Sequence, residues 1–182
     1  MTYYGAREIA ASFRVVRNNT LRIAGEIPED NYGFRPAEGS RTIAQTLIHI
    51  SNVHKFALAI HRDRVLSTME GFDFMAFIGP VAASEQETMT KEQIIARLTA
   101  AGEEFETWVR SLSDDFLGQS ITLPPGGSPP SRLRFETVIA VKEHEMHHRG
   151  QLMLMERLIG ITPHLTREAQ ARRARLHATA KG

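Results

Sequence analysis

The feature that most constrains this chain is a series of four long segments with helical periodicity, separated by connections rich in proline and glycine. Apolar residues recur at alternating spacings of three and four, which is typical of helices that pack in a bundle. The segments cover about 4–25, from 40 or 42 to about 60, about 90–112 and about 135–158, with a shorter helix over 166–178. We therefore predict an all-α fold, a four-helix bundle with long interhelical loops in one domain over residues 1–182.

Two of the predicted helices begin with a capping box. Thr42 is followed three residues later by Gln45, and Thr90 by Gln93. In this motif the threonine side chain accepts a hydrogen bond from the backbone at the third helical position, and the glutamine side chain accepts one from the threonine N–H. The two motifs predict where the second and third helices start.

The two longest connections, residues 67–89 and 117–131, are predicted to be loops. The first is too apolar for a fully exposed loop, since it contains Phe72, Phe74, Met75, Phe77 and Ile78. We expect it to cap the core, with a pocket wall or a subunit interface as the alternatives. The β-like stretch at 121–123 is too short to predict a sheet.

The composition is that of an ordinary globular protein and excludes several classes of function. Lysine and arginine number 22 against 21 acidic residues, so the net charge of +1 gives no reason to expect a nucleic-acid partner. Because there is no cysteine, a disulfide, a thiolate nucleophile and a cysteine-based metal site are all excluded. The sequence shows no signal peptide and no apolar run near the ~20 residues that cross a bilayer, so we expect a cytoplasmic protein with no membrane partner.

Three of the eight histidines lie within residues 144–148. Each helical residue turns by about 100°, so His144 and His148 lie one turn apart on one face, where two imidazoles can bind one metal. Both fall on the apolar stripe of the fourth helix, where a core leucine is expected. The alternative is a pair of core histidines satisfied by protein hydrogen bonds, which is harder to achieve for two buried neighbours.

A third ligand has to come from another helix, and the second helix offers His49, His54 and His61. On a helical wheel His54 and His61 lie near the centre of the apolar arc, whereas His49 lies at its edge. The wheel alone favours His54, and helix position leaves the choice open.

Two stretches of the chain carry a family resemblance. One reads YGFRPAEGSRTI over 32–43 and continues into LIHI at 47–50; the other reads HEMHHRGQL over 144–152. Together they resemble the capped second helix and the histidine-rich segment of the DinB-like (damage-inducible) superfamily of four-helix-bundle metalloproteins. The resemblance extends in helix length and order over nearly the whole chain, and it implies a bundle of the DinB type.

The resemblance also implies a set of metal ligands. By its motifs His49, His144 and His148 bind one divalent metal, in place of the His54 that the wheel favours. Three neutral imidazoles leave positions open for water or substrate, as in a catalytic site. Histidine ligands suit several metals, and the resemblance favours nickel or zinc. It further implies a homodimer.

Other side chains beside the predicted site are candidates for catalysis. Gln151 faces the same way as the two histidines on the wheel, so it is a candidate for supporting a ligand or contacting substrate, with a helix-packing amide as the alternative. Glu143 and Glu145 lie about 100° to either side of His144. Each is a candidate base acting through water, although a solvated surface glutamate is the commoner outcome. His147 is expected to make a surface or interface contact.

These observations leave three functions open. The first is a metal-dependent enzyme acting on a small molecule, because the resembled superfamily includes S-transferases and isomerases that use low-molecular-weight thiols such as mycothiol or bacillithiol, and metal-dependent hydrolases. The second is a non-enzymatic, stress-related bundle that binds metal. The third is a zinc protease, since residues 144–148 match HExxH, but the absence of a predicted sheet for a peptide strand argues against it.

Overall fold

The structure, a computed structural model, describes residues 4–179, so three positions at each end of the predicted domain lie outside it. Its helices are α1 (Ala6–Glu26), α2 (Ile43–Leu58), α3 (Phe74–Ala83), α4 (Lys91–Arg110), α5 (Asp114–Leu117), α6 (Arg134–Leu158) and α7 (His164–Thr179). The predicted all-α fold is confirmed. Within residues 4–179, no helix combines the length and the apolar character needed to cross a membrane.

Four long helices form the bundle. Helix α1 packs on α4 and α6, and α2 packs on the same two helices, so the order around the bundle is α1, α4, α2, α6. A π-helical turn at Ala59–Asp63 extends α2. Because α2 and α6 are neighbours, histidines on their facing sides lie close to one another.

The core between these helices consists of two main apolar clusters. One surrounds Leu47, Leu98 and Leu152, which are completely buried. The other surrounds Phe13 and Phe105, whose rings meet edge to face with centroids 4.9 Å apart. Each such side chain contributes roughly 1.5–3 kcal/mol by leaving water, so the core holds α2 and α6 in a fixed relation.

Both predicted capping boxes are present. The Gln45 backbone N–H donates to Thr42 Oγ1 over 3.1 Å, and Gln45 Oε1 accepts from the Thr42 N–H over 3.0 Å. Thr90 and Gln93 form the same pair of bonds at the start of α4. The first box sets the start of α2, and with it the direction in which each α2 side chain points.

The prediction of a loop over 67–89 is wrong at its centre, because the segment contains α3. This helix is apolar on every side, so it has no amphipathic period by which to recognise it, and Gly79 and Pro80 inside it are loop signals. The expectation of core capping holds for Met69, which is buried with Ile60 and Ile121 in a small third cluster. It fails for α3, none of whose residues is buried.

The sequence did not predict the small sheet. Strand β1 (Ser120–Thr122) pairs antiparallel with β2 (Ser131–Leu133) in the register Ile121 opposite Arg132. Ile121 is 1% exposed and anchors the pair to the third cluster. Strands of three residues are held by such tertiary contacts, which sequence periodicity does not reveal.

Candidate metal centre

Three imidazoles converge where α2 meets α6. His144 Nε2 lies 2.9 Å from His49 Nε2 and 2.9 Å from His148 Nε2. One ligand nitrogen from each ring lies within 4.8 Å of the other two, which is close enough for all three to hold one metal ion. We call these three residues the histidine triad.

The triad lies at the edge of the core. His148 is 6% exposed, His49 is partly buried, and His144 is exposed. The arrangement follows from the bundle, since His144 and His148 are one turn apart on α6 and His49 projects from the adjacent α2. A ligand from solvent can therefore reach the nitrogens from the His144 side.

The carboxylate of Glu85 bonds the ring nitrogen of His49 that does not face the triad. The His49 Nδ1–H donates to Glu85 Oε1 over 2.7 Å, and Arg41 Nε donates to Glu85 Oε2 over 2.6 Å. Glu85 lies in a short 3₁₀ turn after α3 and is 7% exposed. Burial would raise the pKa of Glu85, but its bonds to Arg41 and His49 outweigh burial and lower it. The ionised carboxylate keeps the proton of His49 on Nδ1, which leaves the Nε2 lone pair directed at the triad.

Gln151 supports His148 in the same way. The His148 Nδ1–H donates to Gln151 Oε1 over 2.8 Å, and Gln151 Nε2 donates to His147 Nε2 over 3.1 Å. Burial lowers the pKa of His148 to about 4, against the opposing effect of the Gln151 bond. Burial, with the neighbouring His49 and His147, also lowers the pKa of His144. Neutral imidazoles at pH 7 are what metal binding requires.

Glu145 does not lie at the triad. Its carboxylate is 0% exposed and forms an ion pair with Arg17 of α1, with Arg17 Nε 3.0 Å from Oε1 and Nη2 2.8 Å from Oε2. The expectation of a solvated glutamate is therefore wrong for Glu145, although it holds for the exposed Glu143. The reason is that α6 has α1 as its second neighbour, and the face about 100° from His144 on that side packs against α1.

The other two candidate histidines, His54 of α2 and His61 of the π-helical turn that follows it, are buried away from the triad. His54 Nε2 donates to Glu104 over 3.3 Å, and His61 lies between Arg134 (2.8 Å) and Thr137 (2.6 Å). Burial lowers the pKa of both histidines to about 4. The helical wheel favoured His54 because that residue lies on the most buried face of α2. The triad instead uses His49, which lies at the edge of that face.

Glu85 and Arg41 are site residues that the sequence did not single out. Glu85 bonds His49 although it lies 36 residues away along the chain, and Arg41 bonds Glu85. A lone glutamate after an unpredicted helix carries no spacing signal, and only the fold brings it to the site.

A family model describes the same stretch of chain. The model of the DinB superfamily matches residues 12–152, a range that includes all three histidines of the triad. The chain belongs to the DinB superfamily. The bundle order and the histidine-rich α6 are thus features of a DinB superfamily protein, as the motifs predicted.

One curated DinB relative is the uncharacterized protein YjoA of Bacillus subtilis (strain 168). It is 26% identical over 158 residues, which cover 86% of this chain and 92% of YjoA. The crystal structure of YjoA, described as a DinB-like protein, superposes with a TM-score of 0.63 at 22% identity and covers 85% of this chain and 93% of that one. The likeness supports the fold.

Proposed function

We propose that this chain is a metal-dependent enzyme of the S-transferase or hydrolase type that acts on a small molecule at the histidine triad. The observation that carries the proposal is the convergence of three Nε2 atoms. In two of the three rings the other nitrogen, Nδ1, is already bonded, to Glu85 for His49 and to Gln151 for His148. The donor set fits one divalent ion, with His49, His144 and His148 as ligands and nickel or zinc as the expected metals.

The residues of the chain supply binding and orientation. A divalent ion bound there would provide Lewis acidity that lowers the pKa of a water or a low-molecular-weight thiol. Glu85, held by Arg41, fixes the ring of His49, and Gln151 fixes the ring of His148. The exposed edge at His144 leaves room for a substrate. The absence of cysteine from the sequence fits a reaction in which any thiol comes from a co-substrate.

A non-enzymatic, metal-binding role is the second candidate, and one observation favours it. The two buried glutamates considered for this site are already engaged, Glu85 by Arg41 and His49, and Glu145 by Arg17. Neither is free to act as a general base. The ion pair between Glu145 and Arg17 also argues against the protease hypothesis, because that hypothesis needs Glu145 beside the metal.

Metal analysis of purified protein tests the proposal. We expect about one nickel or zinc per chain by plasma mass spectrometry, and loss of most of it in His49→Ala, His144→Ala and His148→Ala. His177→Ala, which changes an exposed histidine of α7, is the matched control and should retain the metal. Turnover of a bacillithiol or mycothiol conjugate that disappears in the same three variants supports the enzyme. Metal binding without turnover of any conjugate or ester favours the non-enzymatic role.

A homodimer is also proposed, on the family resemblance. Met75 of α3, 74% exposed, is an apolar side chain that a second copy would cover. Sedimentation of a stable monomer at micromolar concentration would contradict it.

A further inference from the structure

Helix α3 is apolar throughout and yet buries none of its residues. Its ten residues, Phe74–Ala83, include no charged or polar side chain, and Phe74 is 48% exposed. A contiguous apolar surface that is left open usually marks a binding site. The side chains of α3 therefore need an occupant that the core does not provide.

A cavity of about 500 Å³ lies between α3, α2 and α6 and extends to the triad. Phe77, Ile78 and Val81 of α3 form one wall, and His49 and His144 lie on the cavity surface as well. This volume is within the usual range for small-molecule sites, roughly 300–1,000 Å³. The cavity thus joins an apolar wall to the nitrogens of the proposed metal centre.

Aromatic rings form part of the cavity wall. The ring of Phe56 on α2 has its centroid 5.6 Å from that of Phe74, 5.6 Å from that of Phe77 and 5.9 Å from that of Phe72. Packing of this kind fixes ring orientations and presents a preformed apolar surface. It suits a flat or chain-like hydrocarbon group.

Arg41 and Glu85 lie at the histidine end of the cavity, and the polar side chains farther along its walls, Asn52 and Thr137, are already bonded within the protein. Asn52 donates to Ser84 Oγ over 2.9 Å and accepts from Arg97 over 2.9 Å. Thr137 Oγ1 contacts His61 and donates to the Arg134 carbonyl oxygen. A polar group placed against these walls would lose its water without gaining a partner, which is unfavourable. The occupant is therefore apolar except at its end beside the histidines.

We propose that α3 and Phe56 bind the apolar body of the substrate, a small molecule with an aromatic or aliphatic group and one polar reacting atom placed at His49 and His144. The inference rests on the proposed function, which gives that polar end its role. A second copy of the chain, proposed above to cover Met75 outside the cavity, fits the cavity itself less well, because the concavity runs inward to the triad instead of presenting a flat face.

Binding of a homologous series of probes tests the inference. We would titrate nickel- or zinc-loaded protein with 4-alkylphenols from ethyl to octyl by calorimetry. Each added methylene should lower Kd about three- to four-fold until the cavity is filled. Ala82→Trp, which fills the cavity from α3, should weaken hexylphenol binding at least tenfold. Ala83→Trp is the matched control, since the adjacent Ala83 is also exposed but does not line the cavity, and this variant should bind like the parent.

The same experiment separates the two proposals. If the parent protein binds one metal at the triad but Kd is independent of chain length, or if both tryptophan variants bind alike, the inference is overturned and the proposed function stands. If chain-length dependence is present while the triad binds no metal, the apolar site stands and the proposed function falls. Dissociation of a dimer by Ala82→Trp, with no alkylphenol binding by the parent, would make α3 an interface and would also overturn the inference.

Discussion

The Nδ1 atom of His49 lies 2.7 Å from Oε1 of Glu85, and this pair joins the bundle to the segment after α3. Through it the 3₁₀ turn at Ser84–Gln86 contacts the candidate metal centre, while Arg41 holds the other carboxylate oxygen. The pair thus couples the position of α3, which lines the apolar cavity, to the orientation of a triad histidine.

Glu85→Gln should weaken metal binding. The amide can still accept a hydrogen bond from His49 but carries no charge, so it no longer raises the basicity of the ring, and supporting residues of this kind are typically worth 10–100-fold in affinity. We expect a loss within that range in a chelator competition assay. Glu87 lies two residues away, is exposed and pairs with Arg97, so Glu87→Gln is the control and should leave the metal affinity unchanged. Equal metal affinity in the two variants would show that Glu85 does not support the metal site.

Glu145→Ala should destabilise the fold. Arg17 is 4% exposed, and removal of its partner would leave a buried charge unpaired, which costs about 3–5 kcal/mol. Glu143→Ala, on the other side of His144 and exposed, should change the free energy of unfolding by less than about 0.5 kcal/mol. Urea denaturation measures both values. If Glu145→Ala instead keeps full stability and abolishes turnover, Glu145 acts in catalysis.

Glu156 should make the protein less stable as pH rises. It is 0% exposed, and neither of its carboxylate oxygens has a hydrogen-bond partner among residues 4–179. Burial, followed by the charge of Glu26, raises its pKa from 4.5 to about 7. Between pH 4.5 and 7 the folded state retains a proton that the unfolded chain releases, so stability is present below 4.5 and falls through this window by at most about 1.4 kcal/mol per pH unit.

The test compares unfolding of the parent and Glu156→Gln from pH 4.5 to 8. The difference in free energy of unfolding should move in favour of the variant as pH rises to about 7, and then level off. A difference that is constant with pH would mean that the pKa of Glu156 is not raised.

The bundle was predictable from the sequence because its signals are local. The period of apolar residues and the Thr42 and Thr90 capping boxes each act within one helix, and the structure confirms both boxes. By contrast, α3 is apolar on all sides, and β1 depends on burial of Ile121 against Ile60 and Met69. Neither helix α3 nor strand β1 can therefore be recognised within a short window of sequence.

The candidate site was predictable only in part, for the same reason. The spacing of His144 and His148 is a property of one helix, so it placed two of the three imidazoles. The wheel then favoured His54, which packs against Glu104 and Phe105 of α4, whereas the triad uses the side of α2 that faces α6. It was the resemblance of residues 47–50 to the family motif that indicated His49. Glu145 is held by Arg17, which passes so close to Gly102 that a Cβ there would lie 2.9 Å from Arg17 Cγ. Contacts of this kind depend on the packing of whole helices.

Anomalous scattering from crystals, recorded at the absorption edges of nickel and zinc, tests the central claim most directly. The account predicts one peak per chain about 2.0–2.1 Å from Nε2 of His49, His144 and His148. A map with no peak there, or with a metal on His147 and the triad rings turned apart, would contradict it.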